Sequence, residues 1–245
     1  MNKIMIDKIG LIMAMRGEAE PIIKHYCLKK HKDFPPVTFL MNSQEDIILG
    51  LNGTCRDHQI DNIGTQAAAI NTYVMATEFK PDIIINAGTA GGFVRNNASI
   101  GDAYLGEKFV YHDRRIPLPQ FEEYGIGGYK GINTDKIAED LNLKQGVVSS
   151  GNSLDETQKD REMMLKQNTS VKDMEAAAVS WICKIYDIPF ISLKVVTDLV
   201  DGKDKVQDDF IKNFRIAAES LRVKSEQLID YLRNNDLEKI FKKVS

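Results

Sequence analysis

The stretch that decides the fold is KPDIIINAGTAGGF, residues 80–93. A short, continuous apolar run over 83–86 follows Pro81, and such a run is typical of a central strand buried on both faces of a sheet. The segment that follows, 87–92, matches neither the dinucleotide-binding pattern G-x-G-x-x-G nor the phosphate-binding pattern G-x-x-x-x-G-K-[ST]. Its glycines indicate only that the backbone approaches another group closely.

Apolar runs of this kind recur along the chain and alternate with helical patterns. The other runs are 9–15, 47–51, 147–149 and 190–196, and the helical patterns cover 64–79, 174–186 and 210–232. Alternating strands and helices pack with helices on both faces of a sheet. The sequence therefore predicts an α/β protein, a three-layer α/β/α sandwich with a central mixed, twisted sheet, formed by a single domain over residues 1–245.

Two segments between these elements have their own patterns. Residues 102–111 are long for one strand and carry polar interruptions, which predicts a strand that bends between sheet regions or pairs antiparallel at an edge. Residues 114–131, RRIPLPQFEEYGIGGYKG, are rich in proline and glycine. They predict a long loop, and a loop of that length in a compact domain is usually functional.

Composition excludes several classes of partner. The 32 basic and 35 acidic side chains give a net charge of −3, and no basic block is present to bind phosphate backbones. No apolar run approaches the roughly 18 to 20 residues that a membrane span needs. Cys27, Cys55 and Cys183 are odd in number and widely spaced, unlike a disulfide framework or a zinc site. We therefore expect a cytoplasmic protein that uses no metal, cofactor, nucleic acid or membrane.

Three carboxylates lie where strands of the predicted sheet end. Ligands of open α/β sheets bind beyond the carboxyl ends of the strands. Glu18 follows the first apolar run, Glu175 precedes the second helix and Asp198 follows the last run. Each has a structural explanation as a helix-start or turn residue. Their convergence on one rim favours a functional site.

Four segments carry a resemblance to a known family. They are IGLIMAMRGEAEPII (9–23), KPDIIINAGTAGGF (80–93), VSSGNSLDE (148–156) and VKDMEAAAVSWICKIYDIPFISLKVVTDLVDG (171–202). In this order, within residues 9–232, they resemble the 5'-methylthioadenosine/S-adenosylhomocysteine nucleosidases of the purine nucleoside phosphorylase superfamily. HDRRIPLP and KDMEAAAV are most similar to the plant-type branch of that family.

The resemblance implies a nucleoside phosphorylase-like fold, a homodimer and a reaction. The reaction is hydrolysis of the bond between adenine and ribose in 5'-methylthioadenosine, with S-adenosylhomocysteine as a further candidate substrate, in methionine salvage. By resemblance, Asp198 is the general acid that protonates the leaving adenine and Glu18 activates the attacking water. An aspartic acid does this near neutral pH only if burial or charge raises its proton affinity.

The resemblance also implies the substrate-binding residues. Glu175 would bind the ribose hydroxyls, with Met174 packed on the sugar. The other implied positions are Met15, Ile63, Thr89, Leu154, Asp155, Asp173, Lys194, Thr197 and Phe210. Of these, Leu154 and the backbone of Asp155 would contact adenine, whereas Met15, Ile63 and Phe210 would line the ribose and alkylthio end. Lys194 stands where many members have arginine.

Two further features concern specificity and assembly. Asn152 stands where the family commonly has aspartate, which removes a negative charge near the base pocket. The 114–131 loop would reach the neighbouring subunit's pocket, with Phe121 near the alkylthio tail.

Two alternatives to hydrolysis are open. A phosphorylase would use phosphate in place of water, but the carboxylate of Glu18 near the anomeric carbon would repel phosphate. A non-catalytic nucleoside-binding or storage homologue would be expected to lack one of the three carboxylates, and all three are present.

Overall fold

The computed structural model describes residues 6–202 and 206–235. The strands are β1 Ile9–Met13, β2 Lys29–Phe34, β3 Val37–Met41, β4 Ile47–Leu51, β5 Ile83–Gly92, β6 Ala103–Tyr111, β7 Gly127–Lys130, β8 Lys144–Ser150, β9 Thr169–Asp173 and β10 Phe190–Leu199. The helices are α1 Arg16–His25, α2 Thr65–Val74, α3 Phe121–Ile126, α4 Asp135–Leu141, α5 Gln158–Lys166, α6 Ala176–Ile185 and α7 Val206–Asn234. A π-helical turn, Met75–Phe79, continues α2, and a 3-10 turn, Val94–Asn96, follows β5.

The ten strands form one mixed sheet, in the order β10-β6-β8-β9-β5-β1-β4-β3-β2, with β7 beside β6. β5 also pairs with β10, so β5, β10, β6, β8 and β9 close into a ring. The strands β1, β4, β5 and β10 are parallel where they pair, whereas β6 runs antiparallel to β10. The mixed sheet of the prediction is therefore confirmed, and closure of part of it into a ring is an additional feature.

Helices cover both faces of this sheet. On one face, apolar side chains of α1, α4 and α7 pack against the strands, among them Ile22, Ile137 and Leu221. On the other face, α2 and α6 supply Ala68 and Val179. These two apolar layers confirm the three-layer α/β/α architecture.

The strand predicted at 83–86 continues to the end of the glycine-rich segment as β5. A Cβ atom on Gly92 would lie 2.7 Å from the Cβ atom of Ala98, and one on Gly91 would lie 2.7 Å from Oδ2 of Asp198. These glycines therefore lie within a strand and allow close approach, as the sequence indicated, and one of the groups approached is Asp198.

The long segment at 102–111 forms β6 at an interior position of the sheet. It pairs antiparallel with β10 and parallel with β8, and its register shifts between Gly106 and Lys108. An irregularity of this kind agrees with the predicted bend between sheet regions. The predicted antiparallel pairing is also present, but the edge position is wrong.

The prediction of a long loop at 114–131 is wrong over most of that segment. Residues 121–130 form α3 and β7, and β7 pairs with β6. Gly127 and Gly128 have φ values of +87° and +69°, which glycine adopts without steric cost. Gly127 and Gly128, which suggest a loop in the sequence, instead allow the chain to pass directly from α3 into β7.

The three predicted helices are confirmed as α2 with its π-helical turn, α6 and α7. Within residues 6–202 and 206–235, no helix is both long and apolar enough to cross a membrane. The single domain predicted over 1–245 stays a prediction, and it includes residues 1–5, 203–205 and 236–245, which lie outside the described residues.

Candidate active site

A cavity of about 170 Å³ lies beyond the carboxyl ends of β1, β5 and β10. This is where the topology of an α/β sheet places ligands. The predicted site residues that line it are Met15, Glu18, Ile63, Thr89, Leu154, Asp173, Met174, Glu175, Lys194, Thr197, Asp198 and Phe210. The structure thus brings twelve of the fourteen predicted residues to one cavity.

The other two predicted residues lie outside the cavity wall. Asp155 is exposed, and its carbonyl oxygen accepts a hydrogen bond from Nζ of Lys172. Phe121 lies in α3, is 51% exposed and packs edge-on against Tyr124. Within one chain, therefore, Phe121 does not contact the predicted substrate site.

Glu18 enters the cavity from the first turn of α1, directly after β1. Its side chain is buried, and Oε1 accepts hydrogen bonds from the backbone N–H of Thr89 at 2.8 Å and from the Thr89 hydroxyl at 2.5 Å. Burial raises the pKa of Glu18, although the bonds from Thr89 and the charge of Lys194 oppose this effect. A carboxylate of raised basicity and fixed position is suited to accept a proton.

Lys194 of β10 lies among three carboxylates, Glu18, Asp173 and Glu175, which we call with it the carboxylate cluster. Its Nζ atom lies 2.8 Å from Oδ2 of Asp173, and both side chains are fully buried. Burial disfavours the ammonium, but the charges of Asp173, Glu175 and Glu18 outweigh burial and raise the pKa of Lys194. Lys194 therefore supplies the positive charge that partly compensates these buried carboxylates.

Asp173, at the end of β9, is fixed by hydrogen bonds to both of its oxygens. Oδ1 accepts from the hydroxyl of Ser150 at 2.5 Å, and Oδ2 accepts from the backbone N–H of Ala176 at 2.9 Å. The Ser150 hydroxyl oxygen in turn accepts from the N–H of Ala177. Asp173 thus connects the start of α6, whose first N–H groups have no helical partner, to Lys194.

Glu175 directly precedes α6 and faces the start of α2. Its Oε1 atom accepts a hydrogen bond from the backbone N–H of Gly64 at 2.9 Å. Burial raises the pKa of Glu175 to about 7, and the negative charges of Asp173 and Glu18 add to this effect while Lys194 opposes it. The Glu175 carboxyl group therefore changes its charge close to neutral pH.

Asp198 lies near the end of β10, where the register with β5 shifts between Val196 and Asp198. Its side chain is buried, and Oδ1 accepts a hydrogen bond from the Thr197 hydroxyl at 2.7 Å. The irregularity in β10, with Gly91 opposite, gives the Asp198 side chain its space beside the cavity.

Residues 151–156, which we call the rim loop, border the same cavity through Ser153 and Leu154. Oδ1 of Asn152 accepts hydrogen bonds from the N–H and the hydroxyl of Thr65, both at 2.9 Å. The N–H of Asn152 donates to Oδ2 of Asp113 at 2.7 Å. Asn152 therefore connects the rim loop to the start of α2.

Sequence reasoning missed Lys172, which also lines the cavity. It precedes Asp173 in β9, and its side chain is 5% exposed. A lysine within the buried end of a strand is the signal that could have identified it, since lysine is rarely buried without a specific partner. Asn86 of β5 also lines the cavity and was missed.

The arrangement provides acid–base chemistry. Over the described ranges, no group of three or more His, Cys, Asp or Glu side chains is arranged to hold a metal ion. Buried carboxyl groups on different elements face one cavity, and the pKa is raised for Glu18 and Glu175. One carboxyl group can accept a proton from water while another donates one to a leaving group, the division of roles that hydrolysis of a glycosidic bond requires.

Comparison with known proteins identifies the family. The sequence profile of the phosphorylase superfamily matches residues 8–230. The 5'-methylthioadenosine nucleosidase of Arabidopsis thaliana is 35% identical to this chain, over 95% of this chain and 90% of that protein. The 5'-methylthioadenosine/S-adenosylhomocysteine nucleosidase of the same plant is 36% identical, over 93% and 92% of the two chains.

A solved structure agrees with these sequence matches. The apo form of Arabidopsis thaliana 5'-methylthioadenosine nucleosidase superposes with a TM-score of 0.92 at 35% sequence identity. The superposition covers 96% of this chain and 99% of that one. The similarity therefore includes the whole arrangement of sheet and helices around the cavity.

Proposed function

The chain belongs to the phosphorylase superfamily, and on that premise we propose that it hydrolyses the N-glycosidic bond of 5'-methylthioadenosine to adenine and a thioribose. Two relatives more than a third identical to it carry the name of nucleosidases that act on this nucleoside. The chain is accordingly an enzyme, an N-glycosyl hydrolase.

One observation carries this proposal: Glu18 and Asp198 are both buried and line the same cavity. Glu18 is fixed by two hydrogen bonds from Thr89, and Asp198 is fixed by one from Thr197. Two carboxyl groups held on separate elements can act on opposite sides of one glycosidic bond.

In the reaction that we propose, Glu18 accepts a proton from a water molecule as the water oxygen bonds to the anomeric carbon. The bond between that carbon and adenine breaks, and its electron pair leaves with the base. Asp198 donates a proton to a ring nitrogen of adenine, so that the base departs as a neutral molecule. Negative charge from Glu18 and Glu175 stabilises the positive charge that develops on the sugar ring.

Glu175 and Met174 would bind the sugar. The carboxylate form of Glu175 can accept hydrogen bonds from ribose hydroxyls, and Met174 lines the cavity beside it. Because the pKa of Glu175 is raised to about 7, this acceptor is fully ionised only above neutral pH. The nucleosidase activity should therefore decrease as the pH falls below about 7.

Water is favoured over phosphate as the nucleophile. Both lysines that line the cavity already lie against carboxylates, Lys194 against Asp173 and Lys172 against Glu156. A phosphate anion would meet the negative charge of Glu18 without an unpaired cation among the described lining residues. The phosphorylase alternative is therefore not favoured.

The test is adenine release from 5'-methylthioadenosine in phosphate-free buffer, by the wild type and by the variant Asp198→Asn. We expect wild-type turnover without phosphate. In the variant we expect a loss of about 10²–10⁴-fold in kcat, the usual contribution of a general acid, with nucleoside binding largely retained. Full activity of Asp198→Asn, or a wild type that requires phosphate, would contradict the proposal.

The residues at the tail end of the cavity bear on which 5'-substituent the enzyme accepts. Met15, Ile63 and Phe210, assigned to the tail end by the family resemblance, are apolar and line the cavity. A charged amino acid group loses hydration against apolar side chains, whereas a methylthio group does not. Within the proposal, S-adenosylhomocysteine is therefore the poorer substrate. Equal kcat/KM values for the two nucleosides would contradict this preference.

We also propose a homodimer, which functions in methionine salvage in the cytoplasm. Support for the dimer comes from an exposed apolar face on α2 and α6 that includes Ile70, Tyr73, Trp181 and Ile185. Exposed apolar side chains grouped on two adjacent helices are typical of an interface. In such a dimer, Phe121 would contact the alkylthio tail in the other subunit's cavity. Light scattering should give twice the chain mass, and a monomer would contradict the assembly.

A further inference from the structure

The rim loop is exposed, yet it borders the cavity. Residues 152–155 are all exposed, including Leu154, so they bury little apolar surface. A segment without apolar burial depends on polar contacts for a fixed backbone position. The contacts that hold its C-terminal half are those of Lys172.

Lys172 satisfies all three of its N–H donors on three consecutive residues of this loop. Its Nζ atom donates to the carbonyl oxygen of Leu154 at 2.6 Å, to that of Asp155 at 3.0 Å and to Oε2 of Glu156 at 3.2 Å. An ammonium group has three donors and no acceptor, so no capacity of Lys172 remains unused. Arg161 holds the other oxygen of Glu156 at 2.8 Å, which fixes the carboxylate in turn.

These contacts fix the orientation of two successive peptide groups. In a trans peptide the C=O of one residue and the N–H of the next point in opposite directions. With the carbonyls of Leu154 and Asp155 directed at Lys172, the N–H groups of Asp155 and Glu156 point away from it. Neither N–H has an acceptor within the described part of the chain, so both stay available to a ligand or to water.

We propose that Lys172 is a positioning residue, which fixes the backbone of the rim loop in the orientation that binds the purine base. The proposal rests on the proposed function and on the family resemblance, by which Leu154 and the backbone of Asp155 would contact adenine. Lys172 acts through the two carbonyl oxygens, and Glu156 accepts the third hydrogen bond of its ammonium group.

The test compares Lys172→Met with Glu156→Gln. The first variant removes all three contacts of the ammonium, whereas the second leaves the two carbonyl contacts and removes only the charge of the ion pair. For Lys172→Met we expect a KM for 5'-methylthioadenosine about tenfold higher, the ratio that ~1.4 kcal/mol produces, and a kcat within about threefold of the wild type. For Glu156→Gln we expect a KM within about threefold of the wild-type value.

Calorimetric titration with adenine alone separates this inference from the proposed function. A wild type that binds adenine but does not cleave the nucleoside contradicts only the proposed function. The inference is overturned if Lys172→Met keeps the wild-type Kd for adenine, or if Glu156→Gln weakens binding as strongly. Absence of adenine binding by the wild type overturns both.

A third variant covers the case in which Lys172→Met does not fold. Lys172→Arg keeps the charge opposite Glu156, but its planar guanidinium cannot converge on three acceptors as an ammonium does. We expect this variant to fold and to bind adenine several-fold more weakly than the wild type. A wild-type Kd in Lys172→Arg overturns the inference.

Discussion

Two parts of the cavity wall, the carboxylate cluster and the rim loop, are held by different forces. In the carboxylate cluster, Glu18, Asp173, Glu175 and Lys194 are all buried, and they are attached to strands or helix starts. The rim loop, in contrast, is exposed at 152–155 and is held by hydrogen bonds. Changes to the cluster should therefore alter the stability of the whole protein, whereas changes to the rim loop should alter ligand affinity.

The two buried lysines show the same difference. Lys194 lies against Asp173 within the core of the sheet, with two further carboxylates close enough to raise its pKa. Lys172 contacts one carboxylate and two carbonyl groups of a surface loop. Removal of Lys194 leaves several buried charges uncompensated, whereas removal of Lys172 mainly releases a loop.

The largest expected effect is that of Lys194→Met. This change leaves Asp173, Glu175 and Glu18 as buried carboxylates without their cation, and loss of one partner of a buried pair costs about 3–5 kcal/mol. We expect a decrease of that size in the free energy of unfolding, measured by urea denaturation at pH 8. Lys30→Met is the control, because Lys30 pairs with Asp33 at the surface, where ion pairs contribute at most about 1 kcal/mol. Equal free energies of unfolding for Lys194→Met and Lys30→Met would contradict the expectation that the carboxylate cluster determines the stability of the protein.

The second largest expected effect is that Glu175→Gln stabilises the folded protein at pH 8. Because the pKa of Glu175 is raised from 4.5 to about 7, protonation of this group stabilises the folded protein. That contribution is fully present below pH 4.5 and is lost as the pH rises through about 7. The Glu175→Gln variant, which carries no charge at this position, should therefore have a free energy of unfolding higher than that of the wild type by on the order of 3 kcal/mol at pH 8. Below pH 4.5 the two proteins should differ little.

The measurement is urea denaturation of both proteins at the two pH values. Glu219→Gln, at an exposed residue that pairs with Arg222, is the control and should show no such gain. The gain in Glu175→Gln should accompany a loss of nucleosidase activity, because in our proposal the carboxylate binds the sugar. A variant less stable than the wild type at pH 8 would contradict the charge assignment of the cluster.

The smallest expected effect is a change in KM caused by Asn152→Asp, in the N-terminal half of the rim loop. The Asn152 amide nitrogen lies 3.5 Å from Oδ2 of Asp113, and a carboxylate in its place would repel that group. At an exposed site such repulsion costs about 1 kcal/mol. We expect KM to rise by no more than about fivefold, the ratio for that energy, and the free energy of unfolding to fall by at most about 1 kcal/mol.

The double variant Asn152→Asp/Asp113→Asn should restore the wild-type KM, because it removes one of the two negative charges. Asp113→Asn alone is the matched control. If Asn152→Asp has the wild-type KM, or if the second change restores nothing, the contact with Asp113 does not position the loop.

The strands that the sequence predicted best are those with continuous apolar runs. Continuous apolar runs predicted β1, β4, β5, β8 and β10, because strands covered on both faces need such runs. The hairpin of β2 and β3 was missed. β2 is exposed along nearly its whole length and has the composition KKHKDF, whereas β3, VTFLM, is largely buried but is interrupted by the polar residue Thr38. β2 is held by pairing with β3 in an edge hairpin, so β2 itself carries no apolar pattern to detect.

The sequence likewise predicted some residues of the site and missed others. Glu18, Glu175 and Asp198 follow or precede buried elements, so topology alone predicts that they converge. Lys172 was missed because its role depends on two carbonyl groups and a carboxylate of a loop 16 to 18 positions before it in the chain. The contact itself is fixed by three-dimensional position, and its one local sign in the sequence is a lysine at the buried end of a strand.

By itself, the sequence determined the three-layer architecture, the family and the three carboxylates that face one cavity, because apolar periodicity and strand ends are local properties of the chain. Only the tertiary structure decided the closure of five strands into a ring, the conversion of residues 121–130 into helix and strand, and the anchoring of the rim loop. Those features depend on backbone pairing and polar contacts between distant residues. Their energies arise only when the chain is folded, so no local pattern records them.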